Sequence, residues 1–192
     1  MNRMTVSTTD IRPGNKVEVD RAPWVVINNE FVKPGKGQAF NRIKMKNLMT
    51  GQQVERTYKS GEKIELADVE EKTMTYLYDE GDGAVFMDGK SFEQVSVNAD
   101  IIQPMKHWLM EEVPYQITFY KGNVIEIVPP CFLEMTVVET TPAVRGDTSG
   151  RVLKAAKTNT GATIQVPIFI EEGQRIKVDT RTHEYASRAS DK

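Results

Sequence analysis

Short apolar runs separated by turn residues dominate this sequence and constrain its fold more than any other feature. Lys16–Asp20 alternates between polar and apolar residues, and Trp24–Ile27 is a short apolar run; half-buried β-strands have these patterns. Similar runs lie at residues 39–45, 53–58, 74–78, 84–87, 116–120, 124–128, 132–138, 162–166 and 175–178. We therefore predict an all-β protein. Strands at this spacing favour small antiparallel barrels of about 60 residues each, and a chain of 192 residues has room for three of them.

Net charge changes sharply along the chain between regions that two candidate domain boundaries separate. The boundaries are the acidic stretch 67–72 and the pair Pro129-Pro130, which makes the connection between domains stiffer. They predict domains at residues 1–66, 67–129 and 130–192. The first carries 12 Lys and Arg against 7 Asp and Glu, a net charge of +5, and the second carries 4 against 12, a net charge of −8. The third is nearly neutral, with 9 against 8.

The composition argues against several classes of chemistry. The chain contains one cysteine, Cys131, and two histidines, His107 and His183, which are too few for an internal disulfide or for the usual zinc clusters. We therefore expect no metal and no cofactor. No apolar run approaches the roughly 18 residues that a membrane helix needs, and the N-terminal residues lack the apolar stretch of a secretory signal. These features predict a cytoplasmic protein with no membrane partner.

One segment departs from the strand pattern. Between Asn98 and Glu112, apolar residues recur at spacings of three and four, which predicts an amphipathic helix capped by Asn98. Pro104 lies inside this segment, and an interior proline destabilises a helix unless it sits in the first turn. We interpret Trp108 and its apolar neighbours as core residues.

A glycine-rich loop at residues 30–40 carries the most informative lysine of the sequence. Pro34, Gly35 and Gly37 surround Lys36. Proline sets the entry to a tight turn and glycine permits a positive φ, so we expect Lys36 at the exposed apex of a hairpin. The loop is not a phosphate-binding P-loop, because the required glycine, lysine and hydroxyl spacing is absent.

The residues around this loop are basic. The stretch 33–46 contains no acidic residue and five basic ones, Lys33, Lys36, Arg42, Lys44 and Lys46. Such a cluster suits contact with phosphates or insertion into an anionic cleft. An ordinary solvated basic hairpin has the same composition, so the residues alone leave both interpretations open.

Several stretches together resemble bacterial translation elongation factor P, and the resemblance covers the whole chain. They share their order and spacing with that family: Phe31–Phe40, Thr75–Tyr78, Ser91–Gln94, Val128–Pro130, Gly146–Gly150, Lys177–Arg181, Glu184–Tyr185 and Ser187–Arg188. The resemblance implies an L-shaped protein of three domains, an N-terminal SH3-like barrel of the KOW kind followed by two OB-folds. It implies a cytoplasmic monomer and no enzyme in its own right.

The implied function is to bind both ribosomal subunits between the peptidyl and exit tRNA sites and to rescue ribosomes stalled at consecutive prolines. Lys36 matches the tip lysine that many family members extend covalently, commonly with β-lysine, by means of a lysine-modifying enzyme. The residues implied to contact peptidyl-tRNA and ribosomal RNA are Lys33, Pro34, Gly35, Lys36, Gly37, Arg42, Lys44 and Lys46. The acidic middle region suits a basic ribosomal protein near the exit site better than it suits RNA.

A second implied contact lies near the C-terminus. Arg145, Gly146, Asp147 and Thr148 match the family motif that approaches the small subunit and the exit-site codon. Backbone N–H groups, a hydroxyl and a carboxylate at such a loop can read RNA by hydrogen bonds, although an ordinary turn has the same residues.

Three other interpretations compete with this one. A general RNA-binding protein built on OB-folds would need basic stacking faces on both of them, and the acidic middle region argues against it. A paralogue of the elongation factor with altered duties fits the same motifs. An enzyme that uses Asp147-Thr148-Ser149 with His183 as nucleophile, base and orienting carboxylate lacks the spacing of a nucleophile elbow.

Overall fold

The computed structural model describes residues 4–141 and 152–189. Nearly all regular structure in these residues is β-strand, in three antiparallel sheets. The prediction of an all-β protein is confirmed, and the three sheet domains are consistent with a KOW-like N-terminal domain followed by OB-folds. The domain bounds 1–66, 67–129 and 130–192 stay a prediction.

The first sheet has six strands in the order β1-β6-β2-β3-β4-β5. They are β1 (Thr5–Ser7), β2 (Lys16–Val19), β3 (Ala22–Val32), β4 (Phe40–Asn47), β5 (Gln53–Lys59) and β6 (Lys63–Leu66). Its core contains Ile11, Val17, Trp24, Val26, Ile43, Met45 and Ile64, all buried. The alternation along β4 follows the period of two that strands impose, because every second residue from Asn41 to Asn47 is buried.

The second sheet has five strands in the order β11-β10-β7-β8-β9. They are β7 (Val69–Glu80), β8 (Gly83–Asp88), β9 (Gln94–Val97), β10 (Pro114–Tyr120) and β11 (Asn123–Val128). Phe86 and Tyr115 are fully buried in it, with ring centroids 5.7 Å apart in an edge-to-face arrangement, the geometry that aromatic pairs prefer. Burial raises the pKa of Tyr115 to about 12.

The third sheet also has five strands, in the order β14-β13-β12-β15-β16. They are β12 (Phe132–Thr140), β13 (Leu153–Thr158), β14 (Thr163–Pro167), β15 (Arg175–Asp179) and β16 (Glu184–Arg188). Its core is aliphatic apart from one methionine and consists of Leu133, Met135, Val137, Ala156, Ala162, Ile164, Val166, Ile170, Ile176 and Val178.

The single amphipathic helix predicted between residues 98 and 112 is present only in part. A four-residue α-helix, α1 (Ala99–Ile102), is followed by a 3₁₀ helix, Gln103–Trp108. Pro104 sits in the first turn of that 3₁₀ helix, where its missing N–H removes no helical hydrogen bond, so proline divides the segment. The side chain of Asn98 makes no capping hydrogen bond. Trp108 is partly buried against the core of the third sheet and stacks on His183, with ring centroids 4.6 Å apart.

The chain divides into two compact units, residues 1–72 with 117–126, and residues 73–116 with 127–192. The first unit is discontinuous in sequence. It contains the first sheet and residues 117–126, which include the turn between β10 and β11 and the adjoining parts of both strands. In the part of the chain that the structure describes, no helix is long and apolar enough to cross a membrane.

Candidate nucleic-acid interface

The β3–β4 hairpin positions the lysine singled out by the sequence. Its two strands pair antiparallel up to Val32 opposite Phe40, and residues 33–39 form the connecting loop. Lys36 is exposed at the middle of this loop, as predicted. Among the residues that the structure describes, it forms no hydrogen bond and no ion pair, so the ammonium group is available to a partner.

The two glycines of the loop have different conformations. Gly37 has a φ of +119°, which side chains other than hydrogen rarely tolerate, and a Cβ there would lie 3.6 Å from Cγ of Pro34. Gly35 does not have a positive φ, and a Cβ there would have open space around it. The turn therefore requires glycine at position 37 for its backbone and not at position 35.

Three of the predicted phosphate contacts share one face of the hairpin. Arg42, Lys44 and Lys46 are exposed on β4, because they alternate with buried residues. With Lys33 and Lys36, both exposed in the loop, they form a surface that we call the basic face. Along β4, the backbone positions of Arg42, Lys44 and Lys46 stand at the spacing of alternate strand residues, about 7 Å.

Two glutamates modify the basic face, and sequence reasoning missed them. The guanidinium of Arg42 lies 3.8 Å from Oε2 of Glu30 and 3.5 Å from Oε1 of Glu55. Lys44 pairs in register with Glu55, but among the described residues Lys33, Lys36, Lys44 and Lys46 form no ion pair. The positive charge of Arg42 is consequently shared between two carboxylates and partly neutralised.

A signal in the sequence could have found one of these glutamates. Near the loop, opposite residues are equally far from Lys36 along the chain: Val32 faces Phe40 and Glu30 faces Arg42. A hairpin centred on Lys36 therefore predicts the Glu30–Arg42 pair by counting outward. Glu55 lies on β5, the strand that follows the hairpin. Counting outward from Lys36 does not give the register of β5.

The other predicted nucleic-acid contact cannot be placed. Arg145, Gly146, Asp147 and Thr148 lie outside the described residues 4–141 and 152–189. Their contact with the small subunit stays a prediction.

A second lysine at a hairpin tip is held by the chain itself. Lys121, at the turn between β10 and β11, donates through Nζ to Oε1 of Glu18 at 2.9 Å, and its backbone N–H donates to the carbonyl oxygen of Asp68 at 3.0 Å. The neighbouring Tyr120 hydroxyl donates to the carbonyl oxygen of Arg21 at 3.3 Å. Hydrogen bonds with Tyr120 and Glu18 raise the pKa of Lys121 above its ordinary value.

Comparisons with known proteins agree along the chain. The family model described as "Elongation factor P (EF-P) KOW-like domain" matches residues 7–64. The model described as "Elongation factor P (EF-P) OB domain" matches residues 69–127, and "Elongation factor P, C-terminal" matches residues 133–188.

Solved structures support the fold. A structure titled "Eukaryotic translation initiation factor 5A from Methanococcus jannaschii" has a TM-score of 0.53 at 20% identity, covering 66% of this chain and 92% of that one. A "Translation initiation factor eif-5a family protein" from Naegleria fowleri has a TM-score of 0.54 at 14% identity, covering 67% of this chain and 99% of that one. At these identities the likeness concerns the fold alone.

Sequence relatives extend over nearly the whole chain. "Elongation factor P 2" of Protochlamydia amoebophila is 58% identical over 186 residues, which are 96% of this chain and 98% of the relative. "Elongation factor P 2" of Chlamydia caviae is 56% identical over the same coverage. Because the family models and these relatives agree from the first sheet to the third, the chain belongs to the elongation factor P family of translation factors.

Proposed function

We propose that this translation factor binds the ribosome between the peptidyl and exit tRNA sites, positions peptidyl-tRNA, and relieves stalling at consecutive prolines. The observation that carries the proposal is the exposed Lys36 at the tip of the β3–β4 hairpin, without a partner among the described residues, next to the basic face. A long cation on a fixed hairpin can reach into a narrow anionic cleft.

The proposed mechanism is positional. Proline is a stiff residue with a fixed φ, and a badly placed peptidyl-tRNA leaves the reacting groups out of alignment. Holding the acceptor end of that tRNA restores the alignment without any catalytic group from the factor, and orientation can lower a barrier by several kcal/mol. Lys36 contacts the acceptor end, while Lys33, Lys44, Lys46 and the partly neutralised Arg42 lie along nearby phosphates. The factor is thus no enzyme in its own right.

We further propose that Lys36 is extended by a β-lysyl-type modification. Its exposure leaves the amine accessible to a lysine-modifying enzyme, and an added amine lengthens the reach of the tip. Mass spectrometry of the peptide that contains Lys36, from protein purified from its native source, tests this directly. An unmodified mass in that material contradicts the proposal.

The remaining parts of the proposal concern partners and setting. The net negative charge of residues 67–129 suits a basic ribosomal protein near the exit site. Residues 145–148 contact the small subunit in this proposal. The factor acts as a cytoplasmic monomer with no cofactor besides the covalent extension.

Reconstituted translation tests the central claim. Two messages, one with three consecutive prolines and one with alanines in their place, are translated with wild-type protein, Lys36→Ala or Lys63→Ala. Lys63 is an exposed lysine of the same sheet away from the loop, which makes it a matched control. We expect wild type and Lys63→Ala to rescue the proline message selectively and Lys36→Ala to lose at least about tenfold in rate. Full rescue by a folded Lys36→Ala protein contradicts the proposal.

A further inference from the structure

A partly buried chain of hydrogen bonds made by side-chain amides lies at the base of the hairpin that carries Lys36. Nδ2 of Asn41 donates to Oδ1 of Asn29 at 3.0 Å. Nδ2 of Asn29 in turn donates to two backbone carbonyl oxygens, that of Thr8 at 2.8 Å and that of Ile11 at 3.0 Å. Asn41 is only 2% exposed. These bonds join β3 and β4 to the segment that follows β1.

Thr8 extends the chain of bonds to the turn between β5 and β6. It is fully buried, and its hydroxyl donates to the carbonyl oxygen of Lys59 at 3.1 Å and accepts from the N–H of Gly61 at 3.0 Å. Its backbone N–H donates to the carbonyl oxygen of Glu62 at 2.8 Å. Both arms of the hairpin are thereby tied, through Asn29, Asn41 and Thr8, to backbone groups elsewhere in the sheet.

An irregularity in β3 turns Asn29 inward. The register between β3 and β4 shifts between Val26 and Asn28, as a β-bulge does. Val26 is buried, and strict alternation would bury Asn28 next, but Asn28 is exposed and Asn29 pairs opposite the buried Ile43. The extra residue exchanges the faces of the two asparagines.

We propose that Asn29 is a positioning residue for Lys36, acting with Asn41 and Thr8; this rests on the function proposed above. Above Asn29, the pair Phe31–Asn41 and the pair Val32–Phe40 are the last before the loop begins. The hydrogen bonds of the Asn29 and Asn41 side chains therefore hold the base of the lysine-bearing loop.

The chemistry of these side chains explains why amides serve this purpose. Apolar side chains repack when an arm tilts, whereas a buried donor that leaves its acceptor stays unpaired, which is costly. Each bond of Asn29 has a direction, and two of them end on backbone carbonyls that do not move independently. A tilt of the hairpin would break several bonds at once, so these bonds fix the direction of the two strands from which the loop carrying Lys36 extends.

Adjacent asparagines on opposite faces supply a matched pair of variants. Asn29→Ala removes three of the bonds, whereas Asn28→Ala changes an exposed neighbour of the same type. Each full-length variant is tested for its melting temperature, for hydrogen–deuterium exchange over residues 31–41, and for rescue of the proline message at increasing factor concentration. Lys36→Ala is measured in parallel.

For Asn29→Ala we expect a folded protein with exchange over residues 31–41 at least about tenfold faster than in Asn28→Ala. We expect the maximal rescue rate to fall about tenfold while the concentration for half-maximal rescue changes less than twofold, because the basic face is intact. A general loss of stability would instead raise exchange throughout the first sheet and would not separate the two rescue parameters.

Other outcomes overturn the inference or the function separately. If Lys36→Ala fails to rescue but Asn29→Ala matches Asn28→Ala in both exchange and maximal rate, the positioning role is wrong and the proposed function stands. If Lys36→Ala rescues fully, the proposed function fails, and with it the role of Asn29 in rescue. If Asn29→Ala does not fold, Asn41→Leu, which removes one donor and keeps a side chain of similar length, is judged by the same measurements.

Discussion

Lys36 and Lys121 stand at the tips of two hairpins, each followed by a glycine, and their surroundings differ. The amine of Lys121 donates to Glu18 and lies 4.9 Å from the centre of the Tyr120 ring, while its backbone N–H is bound by Asp68. Lys36 has no hydrogen bond or ion pair among the residues described.

The residues around each tip account for the difference. The Lys121 tip meets the carboxylate of Glu18 and the carbonyl groups of Arg21 and Asp68, so its cation contributes to the fold. The stretch 33–46 around Lys36 contains no carboxylate, and its loop is longer. The same lysine-glycine pair is thus a structural contact in one place and a free cation in the other.

The largest effect is expected from replacing each of the two lysines by alanine. Lys36→Ala should lower the rate of proline rescue at least about tenfold with the melting temperature unchanged, because an exposed, unpaired side chain contributes little to folding. Lys121→Ala should lower the melting temperature by a few degrees and leave the rescue rate near that of wild type at temperatures where it is folded. Thermal unfolding and reconstituted translation on both variants check this. A large loss of rescue in a fully folded Lys121→Ala protein would remove the distinction between the tips.

Substitutions of Gly35 and Gly37 test whether the loop conformation around Lys36 matters for rescue. Gly37→Ala places a Cβ on a backbone with a φ of +119°, a strain of about 1 kcal/mol or more, and should change the direction of Lys36. We expect rescue to fall severalfold. Gly35→Ala, which has open space for its Cβ within the protein, is the comparison and should lose less rescue than Gly37→Ala. Equal rescue by both variants would mean that the loop conformation is unimportant.

The basic face allows a gain of function. Glu30→Gln removes one of the carboxylates that neutralise Arg42 and should tighten binding to tRNA about two- to threefold at low salt. Glu80→Gln, an exposed glutamate of the second sheet, makes the same charge change elsewhere and serves as control. Titration of labelled tRNA at two salt concentrations measures the effect. The gain should shrink at high salt, and a gain equal to that of Glu80→Gln would show that only net charge matters.

The smallest effect is expected on the pKa of Lys121 at the tip of the β10–β11 hairpin. Hydrogen bonds with Tyr120 and Glu18 raise the pKa of Lys121 above its ordinary value, so this contact stabilises the fold below that ordinary pKa, and the stabilisation disappears as pH rises through the raised pKa. Glu18→Gln should lower the pKa of Lys121 toward its ordinary value, as measured by NMR titration of the lysine side chain. An unchanged pKa in Glu18→Gln would mean that this carboxylate does not hold the amine.

Local patterns in the sequence identified the hairpin and its exposed face, because strand alternation and turn chemistry act over a few residues. The burial of Asn41 and Ile43 beside exposed Arg42 and Lys44 follows from a period of two. The inward Asn29 does not, since a bulge moved the alternation by one residue.

Contacts between distant segments were beyond such patterns. The apolar spacing of residues 98–112 suited a helix, but Pro104 divides the segment into two short pieces, and Trp108 at the end of the second piece packs against the core of the third sheet. The hydrogen bond from Lys121 to Glu18 joins residues 103 positions apart, and no local signal encodes it. Sequence therefore predicted which tip could bind a partner without showing that another tip was already bound.

The discontinuity of the first unit has a consequence for synthesis. Tyr120 reaches Arg21 across 99 positions of the chain and Lys121 reaches Glu18 across 103. Contacts of such long sequence separation close late in folding, and here they also wait for residues 117–126 to be translated. A nascent chain can form the β3–β4 hairpin and present Lys36 early, but the unit that bears it is complete only after a hairpin encoded much further along the message has arrived.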